Sequence, residues 1–148
     1  MQLNKRTLAI GGTSALLAVT GFGGSTMVNS ADAALTTHHM RFIAYSDRNI
    51  SFGQRTFGGT EIDRRNGQRV GFDVISGKFN PATRSVTIYV SVARRGGLLH
   101  AKVHDVSPSR YVGRVTGGSG RFKGASGTVT ARNLQGNGTR VVVTYTLP

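Results

Sequence analysis

Residues 111–134 read YVGRVTGGSGRFKGASGTVTARNL, and the choice between an all-β chain and a nucleotide-binding α/β unit is made inside them. Tyr111 and Val115 alternate with Arg110 and Arg114; Gly117, Gly118, Gly120 and Gly124 follow; then Val129 and Ala131 alternate with Thr128, Thr130 and Arg132. Two period-two runs flanking a glycine cluster describe two strands joined by a tight loop. A dinucleotide cradle needs a third glycine at position 123, where Lys stands, and then a helix whose N-terminus meets the phosphate. The glycines instead supply positive φ and a reversal at a sheet rim, with Phe122 filling apolar space beneath them.

The same period extends in both directions. Met40, Phe42 and Ala44 alternate with Arg41, and Val70, Phe72 and Val74 with Arg69 and Asp73. Val86, Ile88, Val90 and Val92 form the clearest face, followed by Leu99, Ala101 and Val103, and by Val141, Val143, Tyr145 and Leu147. A weaker strand near Gly59 to Asp63 brings the total to about eight. Asn66-Gly67, Asn80-Pro81, Gly96-Gly97, Ser107-Pro108 and Asn137-Gly138 separate the runs as turn signals. Short strands with one apolar face each predict an antiparallel sandwich or a barrel closed on itself. No 3.6-residue stripe is sustained, so a βαβ unit and its cofactor chemistry are not expected.

Composition agrees. The 148 residues include 21 Gly, no Trp and no Cys, which argues against a helical bundle and excludes disulfides, thiol catalysis and Cys-ligated metals. Lys5 and Arg6 precede an apolar, small-residue stretch from Leu8 to Phe22, and Ala31, Asp32 and Ala33 offer small residues at a cleavage site. The expectation is a secretory signal over residues 1–33, a single domain over 34–148 and a secreted product. The apolar run is broken by Gly11, Gly12, Thr13 and Ser14, so no integral membrane association is expected.

Tyr111 to Leu134 resembles the glycine-rich signature of the dirigent and allene oxide cyclase barrel-like superfamily: a strand, a Gly-Gly-Thr-Gly loop, an aromatic, a Gly-Ala pair and a further strand. Asn66-Gly67-Gln68-Arg69-Val70-Gly71 and Gly96-Gly97-Leu98-Leu99 are similar to two further family hairpins. Ser119 replaces the commoner Thr, and Ser126 stands where the family usually has Arg. The resemblance implies an all-β fold, a single eight-stranded antiparallel barrel with an apolar lumen, often assembled as a homotrimer or dimer. It also implies a choice of activities, since plant relatives include an isomerase that cyclises a fatty-acid allene oxide and auxiliary proteins that steer phenoxy-radical coupling.

A lumen-binding site is then expected to have walls from Phe42, Phe72, Ile88, Val90 and Val143, enclosing a small apolar or amphipathic ligand. Tyr111 and Tyr145 are the candidate hydrogen-bond donors to a substrate oxygen, and Asp105 falls on the inward register of its strand. Register alone also permits two core tyrosines and an Asp105 facing solvent before Ser107-Pro108. If the protein is catalytic, the expected mode is cofactor-independent cyclisation or isomerisation by confinement. No organic cofactor or metal is implied: His38 and His39 point to opposite faces of a strand, and His100 and His104 lie roughly 13 Å apart along one.

The formal charge of +13 supports a rival reading, a non-enzymatic basic surface that binds extracellular polyanions such as wall polymers or nucleic acid. Fourteen arginines from Arg41 to Arg140 supply it, with Arg64-Arg65 and Arg94-Arg95 adjacent. No aromatic run interleaves with them and no groove-entering element is visible, so sequence-specific nucleic-acid recognition is not expected.

Overall fold

The computed structural model describes residues 35–148; the expected signal segment over residues 1–33 lies outside them. The strands are β1 (Thr37–Ser51), β2 (Thr56–Arg65), β3 (Gln68–Asn80), β4 (Ser85–Arg94), β5 (Gly97–Ser107), β6 (Arg110–Gly118), β7 (Ser126–Asn133) and β8 (Gly138–Thr146). Each pairs antiparallel with its chain neighbour, and β1 also pairs with β8, so the sheet closes into an eight-stranded antiparallel barrel; the period-two pattern allows a sandwich or a barrel, and the barrel is the one that the family resemblance implies.

Turn chemistry sets the registers. Asn66 and Gly67 both have positive φ, 52° and 78°, and link Arg65 directly to its partner Gln68. That is the two-residue primed turn whose twist matches a hairpin. In the glycine-rich loop, Gly117, Gly120 and Gly124 have φ of 135°, 58° and 76°. A 3-10 turn, Gly120–Phe122, hangs the Phe122 ring into the interior, where it is fully buried. The loop is thus a rim reversal with an aromatic plug.

The core gathers Phe42 and Ala44 of β1, Val92 of β4, Leu99, Ala101 and Val103 of β5, Val115 of β6, Val129 of β7, and Val143 and Tyr145 of β8 around that plug. Side chains of this size contribute about 1.5–3 kcal/mol each when removed from water, and the alternation directs them to one place.

Strand β3 is turned over relative to expectation. Val70, Phe72 and Val74 are 38%, 45% and 46% exposed, whereas Asp73 is 1% exposed. The reason lies in its neighbours. Asp73 pairs with Glu61 of β2 and Val92 of β4, both on the inner face, so Asp73, Ile75 and Gly77 must point inward with them. A lone strand's apolar stripe marks the inner face only when that face is wholly apolar, and here it carries a carboxyl.

Candidate functional site

The lumen holds a cavity of about 220 Å³. Its walls are chiefly aliphatic: Ile75, Ile88, Val90, Val92, Val103 and Val143, with Phe42 and Phe57. Four of the five expected wall residues, Phe42, Ile88, Val90 and Val143, lie there, and Phe72 does not, because β3 presents it to the outside. Phe57 was not singled out in the sequence. It reaches inward over Gly77, its directly opposed partner, where a Cβ would collide with the ring.

Polar groups enter this wall from two sides. Glu61 of β2 and Asp73 of β3 contribute carboxyls; Tyr111 of β6, Asn133 of β7 and Thr139 of β8 contribute neutral groups. The strand order places β2 and β3 across the barrel from β6 and β7, so a ligand between them meets acid on one side and hydrogen-bonding groups on the other. Thr139 donates from Oγ1 to Asn133 Oδ1 at 3.2 Å.

Behind Glu61 and Asp73 stands a third carboxyl, Asp63, fully buried and paired with Arg94 through Oδ2 and Nη1 at 2.5 Å. Arg94, one of the arginines assigned to the outer surface from sequence, in fact lies inside, with its guanidinium 4.4 Å from the centre of the Phe42 ring. Gly71 leaves room for it, since a Cβ there would strike the Arg94 Nη1 atom and the Ala93 carbonyl.

Three carboxyls and one arginine cannot all be charged at low cost in an apolar interior. Burial raises Asp73 from the ordinary carboxylate range to about 9, with the charges of Glu61 and Asp63 pushing the same way. Burial also raises Glu61, partly offset by its hydrogen bond with Asp73. Asp63 moves upward as well, burial outweighing the pull of Arg94. Asp63 Oδ1 and Asp73 Oδ1 are buried without partners as long as both groups are ionised acceptors. A proton on Asp73 converts such a contact into a donated hydrogen bond. At neutral pH Asp73 is therefore a carboxylic acid in the wall of an apolar cavity.

The expected donors separate. Tyr111 lines the cavity. Tyr145 is packed away from it, edge-on to Phe122 at 5.8 Å and stacked on His38 at 5.2 Å. Asp105 lies outside the walls too, its Oδ1 accepting the Val86 backbone N–H at 2.7 Å. Neither lines the cavity: Tyr145 is held against the plug and Asp105 at the start of β4. The acids that do face the lumen were missed because β2 is interrupted by Gly58 and Gly59 and β3 was oriented by its outer stripe. The recoverable signal was the spacing Glu61, Asp63, two carboxyls on one face of a strand.

The chain matches no known family model and no curated protein. Its fold matches solved structures. A pyocyanin demethylase superposes with a TM-score of 0.63 at 16% identity, over 73% of this chain and 99% of that one. A pterocarpan synthase dirigent protein superposes with a TM-score of 0.64 at 11% identity, over 86% and 98%. At these identities the likeness is one of fold alone, the closed barrel described above.

Proposed function

We propose that this barrel binds a small apolar or amphipathic molecule in its lumen and acts on it by acid–base isomerisation or ring closure, without a cofactor. The observation that carries the reading is Asp73, a neutral acid beside Glu61 in an aliphatic cavity. An apolar cavity of about 150 Å³ takes up benzene, so about 220 Å³ suits one or two fused rings. Asp73 gives its proton to a carbonyl or similar oxygen of the ligand, and Glu61 accepts the proton released from another atom of it. One proton then passes from Glu61 to Asp73, and the pair ends as it began. Tyr111, facing the acids from β6, orients the same oxygen.

The names of the two structural neighbours, a demethylase of pyocyanin and a pterocarpan synthase, support a small-molecule barrel as the general class. Secretion belongs to the reading, supported by Lys5, Arg6 and the apolar stretch after them. Self-association as a dimer or trimer belongs to it too, supported by the exposed Val70, Phe72 and Val74.

Native mass spectrometry of the protein recovered from its own host tests the reading. A retained aromatic or terpenoid-sized compound is expected, released on mild activation. A bare chain, unable to take up any such compound from an extract of that host, would contradict it.

A further inference from the structure

The barrel registers align arginines that sequence leaves scattered. Arg110 of β6 lies opposite Arg132 of β7, and Arg132 lies opposite Arg140 of β8. Arg140 faces Ile43 of β1, Ile43 faces Arg64 of β2, and Arg64 faces Arg69 of β3. Five of the six positions in one continuous cross-strand row are arginines, and all five are exposed. Like charges placed directly opposite each other cost a sheet stability, so the row is a poor choice for folding alone.

Among the described residues, nothing acidic offsets it. Of the five acidic residues in the described region, Glu61, Asp63 and Asp73 face the interior, Asp105 is bonded to a backbone amide, and Asp47 contacts Thr60. Among the described residues, none of the five arginines makes an ion pair. Two shallow furrows run along the row and share Arg140 and Val142. One is edged by Arg110 and Arg132, with Ser107, Ser109 and Thr130; the other is edged by Arg41, Arg64 and Arg65.

We infer that this row is a binding track for a linear acidic polysaccharide, separate from the lumen. Adjacent strands stand roughly 4.8 Å apart, close to the length of one sugar ring, so a chain carrying a carboxylate on each ring meets one guanidinium on each strand of the row except β1, where Ile43 stands. Arginine forks take carboxylates through two parallel hydrogen bonds, and the hydroxyls of Ser107, Ser109 and Thr130 match sugar hydroxyls. Single-stranded nucleic acid is the poorer fit, because it calls for aromatic stacking platforms. The aromatic ring bordering these furrows, Phe42, is buried.

The test is binding of polygalacturonate to the intact protein at rising sodium chloride, for the parent, for Arg132→Glu with Arg140→Glu, and for Arg55→Glu with Arg84→Glu as a charge-matched control outside the row. The row variant is expected to lose affinity by about tenfold or more, with a shallower salt dependence, while the control changes by less than about twofold. Thermal melting checks that both variants fold; if the reversal pair does not, Arg132→Gln with Arg140→Gln must show a smaller loss in the same direction. Equal losses in row and control variants would overturn the track. Tighter binding of duplex DNA than of polygalacturonate at the same salt would overturn the polysaccharide.

Discussion

Asp73 shows how one residue ties stability to chemistry. Its folded-state carboxyl titrates near 9, against 3.8 for the unconstrained group, so the folded state holds a proton that the unfolded state gives up across that interval. Stability from this group is fully present below about pH 4 and is lost as pH rises toward 9, at no more than about 1.4 kcal/mol per pH unit. Asp73→Asn keeps the shape and cannot ionise. Denaturant melts at pH 5 and pH 8 should show the parent losing stability between them and the variant losing clearly less. Parallel losses would mean that Asp73 does not hold its proton. The arginine at position 94 acts in the opposite sense for Asp63: it provides a buried counter-charge, and removing it leaves that carboxylate unpaired, a change that typically costs about 3–5 kcal/mol.

Strands and turns explain what could be read from sequence and what could not. Seven of the eight strands announce themselves by alternation, and the Asn66-Gly67 turn, the glycine loop and the Phe122 plug follow from local chemistry, because φ sign and apolar burial are local requirements. β3 misleads because its apolar residues, Val70, Phe72 and Val74, cover the outside. Its inner face is set by pairing with Glu61 and Val92, a non-local fact. That error displaced Phe72 from the site and hid Asp73, so the walls were largely legible and the acids were not. Gly77 offers a check at this scale. Gly77→Ala should cost about 1–3 kcal/mol by overpacking against the Phe57 ring. Adding Phe57→Ala should recover part of that loss, giving a coupling energy in a double-mutant cycle. Strict additivity would show that the ring does not lie over the glycine.

At the scale of the whole molecule, the barrel sorts its charge by side. Three of the described acids turn inward, where burial neutralises Asp73 and Arg94 pairs Asp63, and the exterior is left with an almost single-signed surface. The two faces should therefore differ in their response to salt. The proposed binding in the lumen rests on apolar contact and a neutral acid and should change little between 50 and 500 mM salt, while the proposed binding on the arginine row should weaken steeply as the screening length falls from roughly 14 Å toward 4 Å. Eight strands suffice to enclose one small ligand, and closure leaves no free sheet edge, so the outer wall is free to serve a second purpose.

The central claim, a lumen that takes a small ring-bearing molecule, is tested most directly by calorimetric titration with 2-naphthol, against the parent and against Val90→Phe, whose larger ring fills the cavity from β4. The parent should bind one equivalent per barrel with an affinity insensitive to salt, and the filled variant, equally folded by its melt, should bind at least about tenfold more weakly, the loss of a binding free energy of about 1.4 kcal/mol. Equal binding by both proteins, or none by either, would contradict it.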